Sequence, residues 1–206
     1  MIIELKDRLS TSSGTAFWTD TYLKRTLNNA QIWVAKQKPW RILQTTKYTV
    51  TIANRNYYDL PTDYLYGSVF FVKVNSVDYN FVDDVTFRDE DFDTANTFTF
   101  QGKYYFVYAT PTENNLVIDL SYQKRPVTLS ADSDVSLLQE ELHEAILARA
   151  EYSGLKRDKR NNEALTALAD AKDIIKDVWQ CDQKSFRGAV NVGNVLDNHP
   201  NYSIGI

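Results

Sequence analysis

The sequence predicts an α+β chain: a small helical bundle, an antiparallel β region inserted into it, and an extended C-terminal arm. Two patterns carry this. Residues 47–126 hold ten of the thirteen tyrosines and eight of the ten phenylalanines but none of the four tryptophans. On either side, apolar residues recur at helical spacing, whereas in the middle they alternate as strands do. Charge divides along the same lines, with net +4 over residues 1–46 and −4 over each of 47–126 and 127–206. The predicted organisation is a discontinuous helical bundle at 1–46 and 127–188, a β domain at 47–126, and an arm at 189–206.

A short helix is expected over Ile2 to Leu9, stopping before "STSSG". In "TDTYLKRTLNNAQIWVAKQ" Tyr22, Leu23, Leu27, Ala30, Ile32, Trp33 and Val34 follow helical spacing. Thr19 is a candidate N-cap, and Pro39 ends the helix because proline disfavours helical backbone at the residue before it. Strands follow: "KYTVTIA" sets Tyr48, Val50 and Ile52 against Thr49 and Thr51, and three further runs are rich in β-branched and aromatic residues. Gln101-Gly102 and Glu113-Asn114-Asn115 read as hairpin turns.

Beyond the β region, "SLLQEELHEAILARAEYSG" opens with a capping-box match, Ser136 and Gln139. It aligns Leu138, Leu142, Ile146 and Ala150, and Gly154 is placed to close the helix. After "LKRDKRNN" a second stripe takes in Leu165, Leu168, Ala171, Ile175 and Val178, giving a helical hairpin. The last stretch, from Ala189 to Ile206, has a single charged residue and no helical period, hence the expectation of an arm.

Several function classes lose ground on composition. A net charge of −4 argues against a dedicated nucleic-acid binder. A single cysteine excludes an intrachain disulfide framework. No apolar run reaches the ~18 residues that a membrane span needs, and the opening "MIIELKDRLS" lacks a signal-peptide pattern. A soluble protein made in a cytoplasm, with no membrane partner, is the expectation.

Catalytic and metal motifs are also thin. "LHEAIL" begins like a zinc-protease helix, but Leu147 stands where the second ligand belongs, and His143 reads as an ordinary helix-surface residue. Asp89, Asp91 and Asp93 have the alternate spacing of a calcium loop, yet Thr94 and Phe100 replace its glycine and glutamate. There is no Gly-x-Ser-x-Gly elbow and no phosphate-cradling glycine loop. No catalytic, metal or cofactor-binding residue is therefore assigned, and no cofactor is expected.

Two features invite binding roles. "NRNYYDLPTDYLY" packs four tyrosines beside Asp59 and Asp63, which raises a carbohydrate platform of Tyr57, Tyr58, Tyr64 and Tyr104, or a small glycan hydrolase. The plainer reading is a strand end and proline turn, with Tyr58, Leu60 and Pro61 structural and Asp63 in turn hydrogen bonding. The cluster Lys156, Arg157, Lys159 and Arg160 falls between two predicted helices and is a candidate phosphate contact.

The order of these pieces is more informative than any one motif. The first-helix pattern "FWTDTYLKRTLNNAQIWVAK", the strand-turn "YYDLPTDYL" and the passage "GKYYFVYATPTENNLVIDLSYQKRPVTLSADSD" run in succession into "LLQEELHEAILARAEYSGLKRD". This succession, over roughly Thr15 to Trp179, resembles the head-to-tail adaptor (head completion, or connector) proteins of tailed bacteriophages. The resemblance implies a structural virion protein at the head–tail interface, in a homo-oligomeric ring, usually of twelve copies, beneath the portal protein. Such a ring lengthens the channel through which genomic DNA passes without sequence-specific binding, and presents a platform to a downstream tail or stopper protein.

Carried onto this chain, the helices form the ring body and the β region projects. The arm reaches the portal or a neighbouring copy, with Phe186, Val190, Val192, Val195, Leu196, Tyr202, Ile204 and Ile206 as its contacts. An uncharged apolar arm suits β-augmentation or groove binding. A mildly acidic channel lining repels phosphates and favours passage. A tail tubular or gatekeeper ring protein and a carbohydrate-binding β module are the alternatives. No active site is carried over.

Overall fold

The computed structural model describes residues 1–10, 18–89, 93–131 and 133–197. The class is α+β, with five helices and a curled seven-stranded sheet among the described residues. The chain divides into two compact units, Met1–Lys38 with Val127–Ile206, and Pro39–Pro126.

The first unit is helical. Helix α1 (Ile2–Ser10) buries Ile2, Leu5 and Leu9 on one stripe. Helix α2 (Asp20–Gln37) starts where Thr19 accepts a hydrogen bond from the Tyr22 amide at 3.3 Å, and Lys38, ahead of Pro39, is already extended. Its buried face is Leu23, Leu27, Ala30, Val34 and Ala35, joined by two polar residues, Thr26 and Gln31. Helices α4 (His143–Arg157) and α5 (Asn161–Asp197) form a hairpin, and α1 and α2 both pack against α4.

Two local expectations shift here. Ser136 does not cap α4: a single 3-10 turn at Glu140–Leu142 leads into that helix. The Ser136 hydroxyl donates instead to Gln31 Oε1 and accepts from the Leu138 amide. Gly154 is not the stop signal either. It lies buried inside α4, where an added Cβ would stand 2.7 and 2.8 Å from the two Leu9 methyl groups. The glycine serves close helix packing, and α4 ends three residues later. There the Arg160 amide donates to Leu155 O and the Lys159 amide to Lys156 O, with Lys159 at φ 62°. This is the αL helix stop usually given to glycine. Lys159→Gly should therefore raise stability by about 1 kcal/mol, measured by urea unfolding.

The buried stripe of α5 runs through Ala164, Ala167, Ala171 and Ile175, while Leu165 is 61% exposed. The alanines let α5 approach α4 closely, so the larger leucine next to them lies off the seam. Helix α5 also continues to Asp197. Where an extended arm is expected from Ala189, the backbone of Ala189–Asp197 is helical. The remainder of the expected arm, residues 198–206, lies outside the described residues.

The second unit is one sheet in the order β1-β7-β3-β4-β5-β6-β2. Its strands are β1 (Gln44–Val50), β2 (Tyr57–Asp59), β3 (Tyr64–Val74), β4 (Val77–Phe81), β5 (Thr97–Gln101), β6 (Tyr104–Tyr108) and β7 (Val117–Lys124). All pairs are antiparallel except β4 with β5. One core draws on both halves of the sheet, with Val72, Val74, Ile118, Leu120 and Tyr122 meeting Tyr58, Phe98, Tyr105 and Val107. The sheet must curl to bring these faces together. A one-turn helix α3 (Asp84–Phe87), which local pattern does not announce, follows β4 and is capped by the Asp83 carboxylate.

Two turns are as expected in place but not both in role. Gly102, at φ 61°, joins β5 to β6. Glu113-Asn114-Asn115 closes no β6–β7 hairpin, because β7 pairs with β1 and β3. The turn is held instead by Thr51, which is 1% exposed. Its hydroxyl donates to Glu113 O at 2.7 Å and accepts from the Leu116 amide at 3.0 Å. Thr51→Val keeps the shape but strands both backbone groups. It should cost about 2 kcal/mol in urea unfolding and speed hydrogen exchange at Leu116.

Candidate interaction surfaces

The basic cluster of the helical unit is only partly available. Arg160 is bound by the Glu163 carboxylate through two of its nitrogens. Lys156, Arg157 and Lys159 are exposed. Two of these join an interleaved row of cations and rings. Arg157 lies 4.4 Å from the centroid of Tyr22, which Arg25 also faces at 5.6 Å. Lys156 and Arg149 flank Tyr152 at 5.7 and 4.7 Å, and Arg149 also sits 5.2 Å from Trp33. Burial depresses the Arg149 pKa, and its Nε is buried without a hydrogen-bond partner. Ring quadrupoles hold these cations in place. The result is a positive ridge along α2 and α4 that sequence spacing did not reveal, because Arg25 comes from α2, far from the Lys156 cluster in the chain.

His143 is half-buried, and its Nε2 lies 3.1 Å from Leu138 O and 3.3 Å from Ser136 O. It holds the turn before α4 and is not the plain surface residue expected.

Beneath that turn lies a polar clasp with no counterpart in the sequence reading. The Asn28 carboxamide pairs with the Leu129 backbone twice, donating to its carbonyl at 2.9 Å and accepting from its amide at 2.8 Å. Gln31 donates to Val127 O at 2.8 Å and to Asn28 Oδ1 at 2.9 Å. Two side chains one helical turn apart thereby hold the 127–136 segment on α2, much as a strand would hold its neighbour.

In the sheet unit, the tyrosine-rich stretch is a packing element. Tyr58 is in the core and its hydroxyl donates to Arg55 O at 2.9 Å. Pro61 is buried, Leu60 packs against the core, and the Tyr64 amide closes the turn on Pro61 O. Asp63 accepts from the Tyr122 hydroxyl at 2.8 Å, tying this turn to β7. Burial and that bond push the Tyr122 phenol up to about 12. Tyr57 meets Tyr104 edge-on and lies under Arg55 at 4.6 Å. Rings so engaged make no flat sugar platform. Of the acidic loop, Asp91 lies outside the described residues, and among the described residues no group of acidic, His or Cys side chains is placed to hold a metal ion.

The same unit carries a groove of about 720 Å³ between β3, β4 and β5. Tyr66, Phe70, Phe71 and Phe81 expose rings along it, Tyr66 by 80% and Phe81 by 60%. Asp78, Asp83 and Asp84 lie on its edge. The Asp83 carboxyl is held below its usual range by the Thr86 hydroxyl and the first amides of α3.

Of the expected arm contacts, Phe186, Val190, Val192, Val195 and Leu196 fall within α5, and Tyr202, Ile204 and Ile206 lie outside the described residues. Among the described residues no helix is long and apolar enough to cross a membrane.

The helical unit carries a cationic ridge and the sheet unit, separately, an aromatic groove. The family model for the SU10 adaptor protein matches residues 2–193, and the chain belongs to that family. The match runs through both units and agrees with the resemblance to phage head-to-tail adaptors, which makes the protein a phage structural adaptor and a virion component. No curated protein matches the chain.

Proposed function

We propose that this adaptor forms a homo-oligomeric ring beneath the portal, joins the capsid to the tail and lengthens the DNA channel. The observation that carries the reading is the family match over residues 2–193, which leaves neither unit outside the adaptor. Physical features add support. A closed ring is built from heterologous contacts, so each copy needs two unlike faces. The cationic ridge of α2 and α4 and the acid-edged aromatic groove are two such faces. An overall charge of −4 suits a channel that lets DNA pass rather than gripping it. In this reading Lys156, Arg157 and Lys159 contact phosphates or an acidic partner, and α5 with the residues beyond it reaches the portal or a neighbouring copy. A downstream tail or stopper protein docks on the far side.

Co-sedimentation with DNA-filled, tailless heads tests this. The chain should travel with heads that carry a portal and not with shells that lack one. Equal binding to both, or to neither, would overturn the proposal.

A further inference from the structure

The groove in the sheet unit is walled by strand edges as well as by rings. Strand β4 covers only Val72–Val74 of β3 and meets β5 only at Thr97–Phe98. Past these pairs, Val69–Phe71 of β3 is bonded to β7 alone, and Thr99–Gln101 of β5 to β6 alone. Among the described residues no strand lies between these two edges, although they face one another across the groove. The β5 edge is open to a further strand, while the β3 edge is interrupted between Val69 and Phe71 by a register shift in its pairing with β7.

A second observation marks the same place. Thr99 lines the groove and is 1% exposed, yet its Oγ1 is buried with no hydrogen-bond partner. A buried hydroxyl left unpaired costs stability, and a guest that supplies a donor or acceptor removes that cost.

A guest that fits is an extended, uncharged segment with apolar side chains at every second residue for the aromatic floor. Of the stretches of this chain outside the described residues, one has that pattern. In "NYSIGI", residues 201–206, Tyr202, Ile204 and Ile206 alternate with Asn201, Ser203 and Gly205. Successive side chains of a strand point to opposite faces, so the three apolar ones share a side. The small polar residues between them leave the backbone accessible on both edges.

We propose that the β3–β5 groove is a β-augmentation site that receives residues 201–206 of a second copy of this chain. The incoming strand bonds to the open edge of β5 at Thr99–Gln101, packs beside the bulged Val69–Phe71 of β3, and pairs the Thr99 hydroxyl. The choice of a second copy rests on the ring reading; the site itself does not.

The test is fluorescence anisotropy of a labelled peptide with the sequence of residues 198–206, titrated into the chain ending at Asp197. Saturable binding is expected. A peptide of the same composition with its alternation scrambled should bind at least tenfold more weakly. Phe81→Asp, at an exposed ring, should also weaken binding at least tenfold. Thr99→Val should weaken binding several-fold while leaving the free chain as stable or more so, since it removes an unpaired buried hydroxyl. That opposition separates a ligand contact from a folding defect.

Absent binding, or binding that both variants and the scrambled peptide leave unchanged, overturns the proposal. Loss of head binding in Phe81→Asp without any peptide binding would also overturn it, and would assign the groove to a segment of another protein. Peptide binding by a chain that shows no portal-dependent assembly would keep the groove and reject the ring.

Discussion

Gln31→Leu is expected to lower stability by about 3 kcal/mol, making it one of the most damaging single changes in the helical unit. Gln31 is 1% exposed, and its carboxamide serves three partners at once: Val127 O, Asn28 Oδ1 and the Ser136 hydroxyl. Leucine fills a similar space but leaves those groups dry and unpaired, and an unpaired buried polar atom costs about 1–3 kcal/mol. Asn28→Leu should act similarly, because it strands both the amide and the carbonyl of Leu129. Combined, the two should fall short of additive, since each already breaks the bond between them. Gln37→Leu, on the exposed end of the same helix, should change stability by less than about 0.5 kcal/mol. Urea midpoints for the four variants check this. A loss below about 1 kcal/mol at Gln31 would show that the clasp does not hold the segment.

The second large effect is expected at Gly154. Valine there forces its side chain into Leu9, which is fully buried, and should cost about 3 kcal/mol. Alanine sets two terms against each other. It gains about 1 kcal/mol of helix propensity but places a methyl within 2.8 Å of both Leu9 methyls. The contact should win, giving a net loss. The informative experiment is the double mutant. Leu9→Ala alone should cost about 2–5 kcal/mol by leaving a cavity. In that background Gly154→Ala should become stabilising by about 1 kcal/mol, since only the propensity gain remains. A sign that does not reverse would mean the glycine is there for some reason other than the approach of α1.

These two sites show where local pattern stops being informative. The helical flanks and the strand-rich middle were legible because apolar periodicity is set by each element's own geometry: Leu23, Leu27, Ala30 and Val34 announce α2 without outside help. Asn28 and Gln31 sit one helical turn apart among polar neighbours and look like a solvated face. Their role depends on Val127 and Leu129, about a hundred residues away. Gly154 looked like a helix stop because an isolated glycine near a helix end usually is one; its true constraint comes from Leu9.

The sheet repeats the lesson. Individual strands could be read, but their order could not, so Glu113-Asn114-Asn115 passed for a hairpin turn while its bonds run to Thr51. The groove was hidden for the same reason. It arises because β4 is too short to cover β3 and β5 along their whole length, which is a property of the pairing and not of any segment. The stretch around Tyr58 and Pro61 was legible as a turn, but the Asp63–Tyr122 bond that anchors it was not.

Among functional features, the basic cluster at 156–160 was visible as composition. The structure narrows it to Lys156, Arg157 and Lys159 by committing Arg160 to Glu163, and enlarges it with Arg25 and Arg149. The uncharged C-terminal stretch read as an arm because it lacks a helical period, yet helix α5 carries on through it to Asp197 with no proline to stop it. The resemblance to phage adaptors lay in the succession of elements along the chain, a signal spread over many weak local features with no single motif, and the family match over residues 2–193 agrees with it.

The most direct test of the adaptor reading is the mass of the purified full-length chain, measured by light scattering or native mass spectrometry with and without purified portal. The expected result is a small species alone and a discrete ring-sized assembly once portal is added. An oligomeric state that portal leaves unchanged, with no complex formed, would contradict it.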